Sequence, residues 1–458
     1  MVGALSGDAI TTGINNIAIG RSALSAEVAG DNSIAIGRNT LLAQTNSTNA
    51  DIYNTAVGHA AGTAVTTGIN NTLIGGLVGD ALTTGSENVA LGRSALSSDT
   101  LGAHAVAVGF QALTAQNFTT ATDNYNVAVG YNSGVSITTG IQNTLIGGLA
   151  GDALTDADIN VAVGYGALSS DTLGSKSVAV GKNALFSQNF TTATDSLNTG
   201  VGHNAGAQIT TGIDNTLVGG LAGDALTVGN NNVAMGRSAL TTDTKGDRAV
   251  AIGNYALNAQ NFTTTTDNYN VAVGYSAGLS VTTGVENTLI GGEAGDALTD
   301  ADYNVGVGYR ALGADTRGSR SVAVGRSALA NQNQTTATNT YNVAVGYAAG
   351  SGMSTGIRNT LLGGEAGDAL TSALDNVAIG YQALTADTLG QRNIAIGNNT
   401  LDAQNFTTAT NSYNTAVGYA AGGKVTTGIQ NTLLGGLAGD ALTDADLNVA
   451  IGMEATLK

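Results

Sequence analysis

The pattern best suited to holding a metal is acidic. The stretch GDALTDAD occurs three times and presents Asp152, Asp156 and Asp158; Asp296, Asp300 and Asp302; and Asp440, Asp444 and Asp446. Closely spaced carboxylates flanked by backbone carbonyls suit calcium, a hard cation that takes oxygen ligands. The competing reading is a solvated acidic turn that keeps chains soluble and sheet edges unpaired. Calcium is the one cofactor these residues raise, and no other is expected.

A second set of polar and aromatic residues recurs in AQNFTTATDNY at 115–125 and its copies. It offers Asn117, Phe118 and Tyr125, then Asn189 and Phe190, Asn261 and Phe262, and Asn405 and Phe406, with a further copy at Asn333. Amides, hydroxyls and rings of this kind bind a sugar or a protein, and evenly spaced copies add avidity. Each copy also carries an Asn-x-Thr glycosylation signal. The alternative is a copied loop that fills a flank or packs on a neighbouring chain. A third set follows a recurrent Gly: Tyr131, Tyr165, Tyr275, Tyr309, Tyr347, Tyr381 and Tyr419, with Arg93, Arg237 and Arg326 at the same place. Interfaces are enriched in Tyr and Arg, so this column is expected to make lateral contacts between chains, with a simple exposed ladder as the alternative.

Catalytic chemistry finds little support. The three His (His59, His104 and His203) are too few and too far apart for a triad or a His-rich metal site. With no Cys there is no thiolate nucleophile, disulfide or Cys-ligated zinc. No Gly-rich stretch matches a phosphate-binding GxxxxGK[ST] loop. An enzyme is therefore not expected. The Thr pairs of TTG, such as Thr138 and Thr139, raise ice binding as a minor reading. Adjacent strand residues face opposite sides, so a one-sided Thr array is not well specified.

These residues are placed by a repeat. Phrases such as NVAVG at Asn126 and NTLIG at Asn143 recur 25 times, each ending in Gly. They are spaced 17, 17, 21 and 17 residues apart, so that the whole set returns every 72 residues. Such self-similarity is the mark of a solenoid or array. Positions two and four of the phrase are apolar around a small residue, the alternation of a strand. Alternating Val and Ala are expected to fill a thin core. The Gly turns the chain, and an Ala-Leu pair such as Ala95-Leu96 is expected to begin a second short strand. The leading Asn side chains are expected to pair up in a ladder. The fold class is thus all-β: a β-solenoid of about 25 coils, each with two short strands and two turns. It is read as one continuous repeat domain over residues 1–458, with partial coils at 1–15 and 448–458. At about 4.8 Å per coil it would extend on the order of 120 Å.

Composition agrees. The 458 residues include 66 Gly, no Pro and no Trp, with only 4% aromatics, which makes for a core of small side chains. The net charge of −17 and the scattered basic residues argue against nucleic acid and against an anionic membrane surface. No run of 18 apolar residues reads as a membrane span, and MVGALSGDAI lacks the features of a signal peptide.

The copies SIAIG at Ser33, SVAVG at Ser177 and Ser321, and NIAIG at Asn393 resemble the head repeat of trimeric autotransporter adhesins. Similar repeats occur in phage tail fibres. The resemblance covers nearly the whole chain and implies a left-handed parallel β-roll in a homotrimer. It implies no particular ligand. The unit here is longer than the family's, and no heptad stalk or membrane-barrel anchor is seen. A weaker likeness links GGLAGDALT to calcium-binding nonapeptides, although its third Gly is displaced by one place. The expected function is a non-enzymatic fibre or shaft of an extracellular appendage or virion, with adhesive surface loops. Its expected partners are further copies of itself and a cell-surface glycan or protein. A self-polymerising filament subunit is the alternative.

Overall fold

The computed structural model describes residues 1–455, and among them there is no helix. The chain forms two compact units, Met1–Asn230 and Asn231–Lys458. Each unit is a parallel β-solenoid in which every phrase supplies a three-residue strand. In the first unit Val106–Val108, Val127–Val129 and Thr144–Ile146 are successive rungs, parallel and in register. In the second unit Val322–Val324, Val343–Val345 and Thr360–Leu362 stack in the same way. Four extra residues in the longer coil leave the register intact, because they are taken up after the strand has paired.

The direction of the strand side chains corrects one expectation. Ala128 is fully buried, whereas Val127 and Val129 beside it are only half-buried. The small middle residue points inward and the two β-branched residues point out. The interior at this wall is narrow, and it widens only where the middle residue is Leu. Leu145 is such a case, and its neighbour Gly134 leaves the space: a Cβ on Gly134 would lie 2.8 Å from Leu145 Cδ1.

The Ala-Leu pair is not a second strand. Leu96 and Leu113 are fully buried at φ 52° and 50°, in the left-handed region. Leu, which is not branched at Cβ, tolerates that region better than Val or Ile does. The pair is a turn whose backbone still bonds from coil to coil, as Leu96 N–H does to the Ala112 carbonyl at 3.0 Å. Among the described residues a second strand forms only beside the long coil, as where Gly102–Ala103 pairs with Thr122–Asp123.

Two columns hold the coils together. The phrase-ending Gly130 has φ +145°, and a Cβ there would meet the Gly147 carbonyl oxygen at 2.4 Å. The leading asparagines are buried and stacked as expected. Asn126 Nδ2 donates to the Gly140 carbonyl at 2.8 Å, and its Oδ1 accepts the Asn143 N–H at 2.9 Å. The second unit repeats this with Asn342, whose Oδ1 accepts the Asn359 N–H at 2.9 Å. Each buried amide thus satisfies a backbone group of its own coil and one of the next.

Candidate functional site

The acidic triples do not converge. Asp158 Oδ1 accepts the Ile141 N–H at 2.8 Å, Asp156 Oδ1 accepts the Thr139 hydroxyl at 2.5 Å, and Asp152 Oδ1 accepts the Ser169 hydroxyl at 2.7 Å. In the second unit Asp302 caps Val285 N–H, Asp300 meets the Thr299 hydroxyl, and Asp296 Oδ1 has no partner. Asp446 caps Ile429 N–H, Asp444 meets the Thr443 hydroxyl, and Asp440 is only half-exposed. Among the described residues no group of three or more His, Cys, Asp or Glu side chains is placed to hold a metal. The calcium expectation therefore has no cluster to rest on. The eight residues wind around a turn, so each carboxylate reaches a different neighbour.

The insertion loop is strapped down rather than free. Phe118, Phe190, Phe262 and Phe406 are 5–6% exposed and so are not ligand platforms. Behind each Phe lies a buried carboxylate that the sequence analysis missed. Asp99 Oδ1 accepts the N–H groups of Gly102 and Phe118 at 3.1 and 3.2 Å, and its Oδ2 accepts Gln116 Nε2 at 2.7 Å. Gln116 Oε1 in turn accepts Asn126 Nδ2 at 2.9 Å, joining the lock to the Asn ladder. Asp171 with Gln188, Asp243 with Gln260, Asp315 with Gln332 and Asp387 with Gln404 repeat the arrangement. Their common spacing of 72 residues is the signal that could have found them. Burial pushes the Asp99 and Asp387 carboxyls up, against the donors that favour the charged form. At Glu27, the counterpart in the first coils, burial also acts upward. There the N–H of Gly30 and the amides of Gln44 and Asn46 outweigh it and hold the carboxyl low.

What the loop leaves outside is Asn117, which accepts the Thr100 hydroxyl at 3.0 Å, the exposed stretch 119–121, Asp123 and Tyr125. Asn189, Asn261 and Asn405 accept the equivalent hydroxyls. Thr138 and Thr139 are both exposed, because TTG is a turn and not a strand. Their hydroxyls are occupied by the Thr155 carbonyl and the Asp156 carboxylate.

The residues after the phrase-ending Gly do form an exposed column. Tyr131, Tyr165, Tyr275, Tyr309, Tyr347, Tyr381 and Tyr419 all stand out from the surface. Tyr131 stacks on Phe110 with ring centroids 5.6 Å apart, and Arg326 lies over Tyr347. His59 and His203 are exposed in this column, as turn residues should be.

A second column precedes each phrase and was not read from the sequence, except for Tyr125. Its residues adopt left-handed backbone angles at every coil, including Tyr125 (φ 51°), Arg320 (φ 63°) and Arg392 (φ 61°). His104, Lys176, Arg248, Arg320 and Arg392 recur in it at 72-residue spacing, so part of the basic charge is ordered rather than scattered. His104 stacks on Tyr125 at 5.0 Å between Glu87 and Asp123. Lys176 and Arg248 pair with Asp195 and Asp267. In the second unit the column runs Tyr303, Arg320, Tyr341, Arg358, Asp375, Arg392, Tyr413 in consecutive coils. Arg358 reaches Asp375 with two bonds, at 2.6 and 3.1 Å.

No protein-family model matches the chain, and no curated protein matches it either.

Proposed function

We infer that this chain is a non-enzymatic structural part of an extracellular fibre, on a cell-surface appendage or a virion, in which three copies pack side by side. One observation carries this reading. The outward positions of the three-residue strands hold Val, Ile, Leu, Met and Thr and not one charged residue, in a chain of net charge −17. Val89, Leu91, Ile146 and Ile290 on this face are 39–45% exposed. A contiguous apolar surface on that scale marks an interaction site. A charge-free face is also where like-charged copies approach at least electrostatic cost. The exposed Tyr column beside it supplies the ring-rich edge that interfaces favour. The number three is what the likeness to adhesin heads implies.

The chain has no Cys, so a single introduced thiol reports burial cleanly. In the assembled protein Ile146→Cys should be alkylated far more slowly than Thr120→Cys, and the two should react alike once denatured. Equal native rates would show that the face is uncovered and would remove the support for lateral packing.

A further inference from the structure

We propose that the Tyr303–Arg320–Tyr341 station of the second unit binds the carboxylate groups of an acidic polysaccharide. This binding activity lies on a different column from the strand face and does not depend on self-association. This station departs from the repeat. In three successive sets the cation of this column faces an aspartate: His104 with Asp123, Lys176 with Asp195, Arg248 with Asp267. In the next set Asn339 stands where that aspartate would be, and among the described residues no carboxylate lies within ion-pair distance of Arg320. Arg392 also faces an Asn, Asn411, but Asp375 compensates it at 3.8 Å.

Arg320 is thus an exposed guanidinium without a counter-ion, and it is held in place. Its Cζ lies 5.0 Å from the Tyr303 ring centre and 5.9 Å from that of Tyr341. The two rings flank the guanidinium at cation–π distance and hold it in place, while the side chain stays exposed. A fixed planar fork recognises carboxylate with two parallel bonds, which a Lys cannot do. Both rings remain about half-exposed, at 44% and 52%. Arg358 and Arg392 follow in the same column, opposed by Asp375 alone, so the strip is locally positive in an acidic chain.

The occupant that fits is a linear anionic sugar chain. Consecutive coils rise by about 4.8 Å, comparable to the advance of one sugar ring in an extended chain. Tyr rings offer apolar faces to sugar rings, and the arginines offer charge to the carboxylates. A phosphopeptide or acidic protein would use the guanidinium but not the repeated rise.

The test uses the full chain, with polygalacturonate as the carboxylated probe and dextran as the neutral one, in a titration at low salt. The protein should bind polygalacturonate and not dextran, and added salt should weaken binding. Arg320→Gln should lower the affinity at least tenfold, Arg320→Lys should recover only part of it, and Lys424→Gln, which removes the same charge elsewhere, should have no effect. Sedimentation of each variant should match the parent. The proposal is overturned if dextran binds as well as polygalacturonate, if neither binds, or if Arg320→Gln binds like the parent.

Discussion

Among the glycines, identical composition hides different jobs. Gly102 has an ordinary backbone angle, yet a Cβ there would lie 2.1 Å from the buried Asp99 Oδ2. Gly76 meets nothing within 4 Å. Gly102→Ala should therefore cost about 1–3 kcal/mol through overpacking, while Gly76→Ala should stay within about 0.5 kcal/mol. Urea midpoints of the two variants check this, and equal midpoints would contradict it. Gly313 makes the opposite case. Ser169 and Thr385 donate to Asp152 and Asp368, but Gly313 leaves Asp296 Oδ1 buried and unpartnered. Gly313→Ser should supply that hydroxyl and stabilise by about 1 kcal/mol, read from the same midpoint. The corner glycines were legible because they recur in every phrase. The role of Gly102 was not, since it depends on a carboxylate three residues away that the pattern does not single out.

At the level of the element, the long coil is a loop tied back by an Asp–Gln–Asn lock. Two copies break the pattern: Asn46 replaces Phe in the first and donates to Glu27, whereas Gln334 replaces it in a later copy and its Nε2 is buried without a partner. Gln334→Phe should remove that unsatisfied donor and raise stability by about 1–3 kcal/mol, measurable as a higher thermal midpoint. A lowered midpoint would mean that the pocket behind residue 334 differs from that behind Phe118. The strands themselves were legible from the alternation of the phrase. Their facing was not, because Val-Ala-Val alternates equally well either way up, and only the narrow interior decides that Ala points in. The Ala-Leu turn was missed for a related reason. Leu at a positive φ is uncommon, and neither propensity nor periodicity announces it. The ring-and-arginine strip escaped notice because it shows only when sets of 72 residues are laid over one another.

For the whole molecule, charge and packing act together. Burial raises the carboxyls of Asp80, Asp99, Asp296, Asp387 and Asp402. The folded chain therefore takes up protons there more readily than the unfolded chain. Above the folded values the full cost of burying these charges is present, and it is relieved as pH falls through them toward the ordinary value of 3.8. Glu27, through its hydrogen bonds, and Asp375, through the bond from Arg358, act in the reverse sense. Their stabilisation is lost only as pH falls through the ordinary carboxylate range toward their lowered values. Stability should therefore rise as pH falls from neutral into the upper carboxylate range, through the raised values of these five groups. A urea midpoint that falls over this interval would contradict that sign.

The central claim is that the charge-free outward face is covered by further copies of the chain. The most direct measurement is the mass of the 458-residue chain in solution by light scattering, at neutral pH and moderate salt. Three times the 45.2 kDa chain mass is expected. A mass of 45.2 kDa, holding as the concentration is raised, would contradict it.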